Sequence, residues 1–319
     1  MTQSSAAALK YDVPTVVARS AWQQFWNRLR RDKVALVSGV FLIVLVLAAV
    51  FGSLIAVRLT GHDPDQQFAY GLSVDGIPLS PGQWDKPDGS PDRQFFILGT
   101  DRLGRDVLVR LLYGSRISLF VAFSATLVTL LLGVPLGLLA GYVGGQVDAV
   151  ISRAIDTAIA FPSLLFAIGL AAVIGPGLLN IIIVISLFSW YYPARIVRNT
   201  VRALRASQFV EAAVSFGASD ARIMVRELLP HLMAPIIVYS TGVISSMIVF
   251  EAGLSYLGLG VPPPTPSWGQ MISEGVSNGL YRVQPWLAIV PGVMLALTTL
   301  AFNQLGDGIR EALAPKSGT

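Results

Sequence analysis

The chain has no cysteine and only two histidines, His62 and His231, in 319 residues. A disulfide framework and a thiolate metal site are excluded, and two histidines so far apart make no local metal motif. Charge is scarce too: 13% of residues are charged, against about 25% in a soluble domain. With 53% hydrophobic residues, a single soluble core could not hide the apolar surface, so lipid must be part of the solvent. No phosphate-cradling loop is present, because Lys10, Lys33, Lys86 and Lys316 all lack its glycine frame. Nor is there a His-Glu-x-x-His, a Gly-x-Ser-x-Gly or a cysteine nucleophile. No catalytic residue, bound cofactor, metal or nucleic-acid partner is expected. The sequence reads as an all-α integral membrane protein.

What the chain does have is long apolar runs. Spans are expected at about 34–57, 117–143, 155–174, 178–193, 232–259 and 286–305. At about 1.5 Å per residue the first reaches roughly 36 Å, enough to cross with some tilt. It follows Trp22, Trp26, Arg28, Arg30, Arg31 and Lys33, aromatic and basic residues that mark a cytoplasmic flank. Arg195, Arg198, Arg202, Arg205, Arg222 and Arg226 lie in the loop before the fifth span, and Arg310 and Lys316 follow the sixth. Six spans then put both termini in the cytoplasm. Arg102, Arg105, Arg110 and Arg116 disagree, since they fall on the outside, but long loops follow the rule weakly.

The expected organisation is a disordered cytoplasmic tail over 1–20 with no secretory leader, and an N-terminal amphipathic segment with the first span over 21–75. An external loop with turns, open to folding as a small hairpin, and an amphipathic stretch occupy 76–115. A five-helix core covers 116–308, and a cytoplasmic tail covers 309–319.

Gly133, Gly137, Gly141 and Gly145 recur every fourth residue and form one smooth helical stripe. It fits close packing within the subunit or a pathway helix facing another subunit. Asp156 and Glu251 fall near span ends, where water or a basic neighbour can solvate them. A structural or interfacial role is the plainer reading, although intramembrane carboxylates are functional suspects by default. No relay of buried acids and histidines and no clear repeat is visible, which argues against an ion-coupled secondary transporter, the alternative class.

One stretch between the fourth and fifth spans stands apart, "EAAVSFGASDARIMVRELLP", residues 211–230. Phe209, Ala212, Ala213 and Phe216 follow the spacing of one helical face. Gly217 suits a helix C′ position, Ser219 can cap a second helix, and Asp220 lies in that helix's first turn. Pro230 marks the turn into the fifth span. The result is a short helix, a tight turn and another short helix, read either as an ordinary loop or as a contact surface.

Glu211-Ala212-Ala213, Gly217, Ile223 and Leu229-Pro230, at their spacing, resemble the EAA signature of ABC importer membrane subunits. The stretches at 98–119, 254–271 and 302–315 are similar to the dipeptide/oligopeptide/nickel group, and to its C-type permease with an extra N-terminal span. Glu227 departs from it, standing where many relatives have histidine.

The resemblance implies a type I importer permease fold in a bacterial plasma (inner) membrane, working by alternating access. The loop over 207–230 becomes a coupling helix, with Ser219 among its contact residues, inserted into a cleft of a cytoplasmic ATPase. Implied partners are membrane lipid, a homologous B-type permease, one or two ABC ATPase subunits holding ATP and Mg, and an external solute-binding protein. The implied cargo is di- or oligopeptide, with nickel chelate, glutathione or oligosaccharide as alternatives. The external "GVPPPTPSWGQM" is expected to be stiffened by its prolines and anchored at the interface by Trp268.

Overall fold

The computed structural model describes residues 21–313, except 74, 87–89 and 91. The tail expected over 1–20, the side chain of Trp22, and Lys316 lie outside the described residues.

In hydrocarbon every backbone polar group must be satisfied internally, so apolar runs become helices. Helix α1 (Ala21–Leu29) leads to α2 (Lys33–Leu47), a π-helical turn at Ala48–Gly52 and α3 (Ser53–Thr60). Asp32 caps α2, accepting from the amides of Val34 and Ala35 at 2.9 and 3.1 Å. A loop with one small antiparallel hairpin follows, β1 (Gln83–Trp84) on β2 (Phe95–Phe96). Then come α4 (Val107–Val143), α5 (Gly145–Ala160), α6 (Ser163–Ile174), α7 (Leu178–Leu187), α8 (Tyr191–Leu204), α9 (Gln208–Ser215) and α10 (Asp220–Arg222). A π-helical segment at Ile223–Leu228 joins α10 to α11 (Leu229–Tyr256), and α12 (Trp268–Val276) and α13 (Trp286–Leu313) complete the fold.

Four helical stretches are long and apolar enough to cross a membrane, and the bent pairs α5–α6 and α7–α8 bring the number to six. Ser245 Oγ donates to the Thr299 carbonyl (3.2 Å), while Gly306 sits against Thr241, so α11 and α13 are antiparallel. Gly308 lies against Ala35 and Gly39 beside Leu305, so α2 is antiparallel to α13 as well. The start of α2, the ends of α4, α8 and α13, and the start of α11 therefore share one end of the bundle. On α2, Ala35, Ser38, Leu42 and Leu45 are buried, while Val37, Val40, Ile43 and Val44 remain exposed. A helix apolar on every face has one side for protein and the other for lipid.

Several expectations change. Helix α4 begins at Val107, ten residues before the expected span, because Asp106 caps it by accepting from Leu108 and Val109 amides at 2.8 and 3.2 Å. The third span is not one rod: α5 and α6 meet at 88°, where Pro162 disfavours helical backbone at Phe161. The fourth is bent by 40° between α7 and α8 and extends to Leu204. Helix α13 continues to Leu313, so residues 309–313 are helix rather than tail. The proline loop leads into α12, and Trp268 is fully buried rather than anchored at an interface. Its indole donates to the Leu111 carbonyl at 3.3 Å, which satisfies the one polar atom of a buried tryptophan.

Candidate functional site

At the end of the bundle where α4 and α8 finish, the chain turns back through α9 and α10. Val210, Ile223, Leu228 and Leu232 are buried against Leu138, Tyr142, Val197 and Val201. This apolar footing holds the hairpin on three helices. The expected face of α9 is only partly the buried one. Phe209 and Ala213 pack inward, Ala212 is exposed, and Phe216 is 91% exposed. Val210, which sequence spacing left out, is the true anchor, because the footing beneath α9 decides which face is covered.

Glu211, Ala212, Gly217 and Ser219 are all exposed, Ile223 is fully buried, Leu229 is half-buried and Pro230 is exposed. Gly217 has φ +75°, the left-handed backbone that closes the turn without a Cβ penalty. Ser219 holds an N-cap conformation, but its side chain makes no capping bond. The next residue is tied instead: the Tyr142 hydroxyl donates to Asp220 Oδ1 at 2.8 Å. Nor is the second element a separate short helix. Asp220–Tyr256 is one continuous helical stretch. Pro230 lies within that stretch, in the first turn of α11 directly after the π-helical segment, and donates no backbone hydrogen bond there. His231 stacks on Phe209 (centroids 4.7 Å apart) and donates through Nδ1 to the Glu227 carbonyl at 2.7 Å.

The hairpin end is basic. Arg195, Arg202, Arg205, Arg222 and Arg226 are exposed, and Arg198 forks onto Asp148 of α5, its Nη2 donating to Oδ2 at 2.8 Å. Asp156 is exposed on α5. The surface thus offers an exposed Phe216, small residues around it and a basic rim. Behind it, α10, the π segment and α11 form one continuous helical stretch.

Gly133, Gly137 and Gly141 let α4 lie directly on α8. A Cβ on Gly133 would be 2.5 Å from the Trp190 carbonyl oxygen, and one on Gly141 2.7 Å from that of Arg198. Gly137 faces the Ala194 carbonyl. Gly145 leaves the stripe: it lies past the α4–α5 junction at φ +54° with nothing within 4 Å of a Cβ.

The opposite end explains the misplaced arginines. Arg105 bonds Asp101 at 2.6 Å and Glu274 at 3.0 Å. Arg110, fully buried on α4, lies 3.2 Å from Asp101 and donates to the Pro64 and Pro264 carbonyls at 3.2 and 3.3 Å. Carboxylates neutralise these two, whereas most arginines at the hairpin end stay free for solvent. Arg102 and Arg116 are exposed. Glu251 is fully buried rather than solvated at a span end, and accepts from Ser118 (3.0 Å) and Ser255 (2.6 Å). Ser118 in turn accepts from the Trp268 amide at 3.2 Å. Among the described residues no group of three or more His, Cys, Asp or Glu could hold a metal ion.

Comparison with known proteins agrees with this architecture. Residues 133–318 match the model of the binding-protein-dependent transport system inner membrane component, and residues 20–73 that of the N-terminal TM domain of oligopeptide transport permease C. The chain is 38% identical over 298 residues to the glutathione transport system permease protein GsiD of Pectobacterium atrosepticum, covering 93% of this chain and 92% of that one. It is 38% identical over 303 residues to the di/tripeptide transport system permease protein DppC of Pseudomonas aeruginosa, covering 95% of each. Among solved structures, the MetNI methionine ABC transporter in inward-facing conformations superposes with a TM-score of 0.53 at 20% identity. That match covers 65% of this chain and 97% of the other, and shows a shared fold.

Proposed function

The chain belongs to the family of binding-protein-dependent transport system inner membrane components, the membrane-spanning permeases of ABC importers, and from that premise we propose that it carries di- or tripeptides or similar short peptides inward. The hairpin over 207–230 is the handle by which an ATPase moves the spans. Energy must come from outside the chain, and the family supplies it through ATPase subunits that use ATP and Mg. A second, homologous permease completes the pathway, and an external binding protein delivers the solute. The hairpin end, with the start of α2, the end of α13 and the exposed arginines, faces the cytoplasm.

The observation that carries the coupling role is the contrast between α9 and the residue that ends it. Val210 is 3% exposed and Phe216 is 91% exposed, so the hairpin is firmly seated yet offers a large aromatic ring to something outside the chain. A ligand shifts an equilibrium only as far as it binds the two conformations differently, and a seated handle lets ATPase closure do so. The cargo reading is supported by the two relatives, permeases of glutathione and of di/tripeptide transport systems. The test is ATP-driven uptake of a labelled dipeptide into proteoliposomes holding the assembled transporter. Ala213→Asp and Gly217→Asp are expected to abolish uptake at equal membrane abundance, and normal uptake by either would remove the coupling role.

A further inference from the structure

Two cavities open on the face shared by α8, α11 and α13. One, of about 910 Å³, runs from Leu313 and Arg310 to Asn303. The other, of about 450 Å³, runs from Asn303 to Ser163 and Phe250. Both are lined by Tyr239, Gly242 and Asn303, so they form one groove from the hairpin end past the middle of the bundle.

Its lining is unlike a lipid face. Tyr192 stacks on Tyr239 with centroids 5.6 Å apart and planes 15° apart, and Tyr191 lies 5.9 Å from Tyr192. Ser246 and Asn303 are exposed beside them. None of the three phenol hydroxyls, nor the Asn303 amide, hydrogen-bonds a protein group among the described residues. Hydroxyls and a carboxamide left open to hydrocarbon would be costly.

An independent feature points to the same place. Both bent pairs break against this groove, α5–α6 just before Ser163 and α7–α8 at Phe188 and Ser189. The ten residues of α7 put its break about 15 Å below its start, well inside a bilayer. Non-helical backbone at that depth survives only when it is buried in protein or lines a water-filled cavity.

We propose that this groove is the solute's path along the chain, and that Tyr191, Tyr192, Tyr239, Ser246 and Asn303 set which solutes pass, selecting extended short peptides. Peptide amides find hydroxyl and carboxamide partners there, and apolar side chains slide over the tyrosine rings. The charges among the lining residues are Asp307 and Arg310 at the hairpin end, one of each sign, so the groove carries no net charge. Neutral partners spread along a path hold a solute without trapping it, which conduction needs. The inference rests on the importer reading above.

The absence of cysteine makes the test clean. Ser246→Cys and Asn303→Cys are introduced singly into the assembled transporter, in inverted vesicles, and exposed to a membrane-impermeant thiol reagent. Ile43→Cys, in the middle of α2 at a position 62% exposed, is the lipid-facing control. Both groove cysteines are expected to react at least about tenfold faster than the control, because a hydrated reagent is excluded from hydrocarbon. Saturating dipeptide is expected to slow them and not the control. Labelling no faster than at position 43 would mean that helices of the second permease fill the groove. Fast labelling that dipeptide leaves unchanged would make it a water cavity off the path. Either outcome overturns the proposal. Wild-type ATP-driven release of dipeptide, loaded into the lumen of the same vesicles with its binding protein, separates these failures from failure of the importer reading: with release intact, they fall on the groove alone.

Discussion

The Tyr142 hydroxyl donates a 2.8 Å hydrogen bond to Asp220 Oδ1, fastening the last turn of α4 to the residue where the helix running into α11 begins. The far end of α11 meets α4 again, where Ser118 donates to buried Glu251. Two antiparallel helices are thus tied near both ends, and a displacement of the hairpin cannot be absorbed in α11 alone.

Removing the lower tie is expected to separate ATP use from transport. Tyr142→Phe and Asp220→Ala each remove one hydrogen bond, worth about 1 kcal/mol. Each is expected to cut dipeptide uptake per ATP hydrolysed several-fold in proteoliposomes while ATP hydrolysis itself persists. The double variant should be little worse than either single one, because the two groups act as one. Additive losses would mean that they work separately.

Along the glycine stripe, position should decide the effect. Gly137→Leu drives a side chain into the Ala194 carbonyl and should cost about 1–3 kcal/mol. Gly145→Ala meets no atom and should cost only the positive-φ penalty, about 1 kcal/mol. Thermal unfolding of the detergent-purified transporter ranks the two, and equal shifts would contradict close packing of α4 on α8.

Arg110 joins four segments through Pro64, Asp101, Pro264 and Glu274. Arg110→Met removes the bonds to the Pro64 and Pro264 carbonyls and leaves Asp101 and Glu274 to Arg105 alone, a loss expected to cost about 1.5–3 kcal/mol. A lysine ammonium cannot fork across those partners, so Arg110→Lys should recover only part of the loss. Protease sensitivity of the loop before α4 reports both variants.

His62 gives the loop a pH dependence. Burial alone lowers its affinity for a proton, but its bonds to Asp106 (2.6 Å) and Gln94 (3.0 Å), with the nearby Asp85 charge, outweigh burial and hold its pKa above 6.5. The folded state therefore binds the proton more tightly than the unfolded one. The stabilisation is fully present below about pH 6.5 and is lost as pH rises through the folded value. Amide exchange at the start of α4 is expected to quicken above that value, and His62→Asn should flatten the profile. Exchange that slows with rising pH, after correction for the intrinsic rate, would contradict the assignment.

Much of this was legible in the sequence because lipid writes plainly. Apolar runs gave the span positions, and Glu211, Gly217 and Pro230 marked the hairpin. What stayed hidden was set by tertiary contact. Whether Trp268 lies at an interface or in the core depends on Leu111 and Ser118, more than a hundred positions away. Burial of Arg110 depends on Asp101 and Glu274 arriving beside it. The anchoring role of Val210 could not be seen because an eight-residue helix carries two turns of pattern, and the surface below it chose the face. The breaks at Phe161 and Phe188 had only Pro162 and Pro193 as signals, and prolines also occur inside α4 and α13 without breaking them.

The central claim is that an ATPase grips the exposed tip of α9. It is tested most directly by placing a photoactivatable cross-linker on Phe216→Cys in the otherwise cysteine-free chain and irradiating the transporter in its own membrane. The account predicts an adduct with an ATP-hydrolysing subunit at position 216, with a yield that changes when ATP binds, and no such adduct from Tyr281→Cys at the opposite end, where Tyr281 is 44% exposed. An adduct only with lipid or with the chain itself at 216, or equal capture at 281, would contradict it.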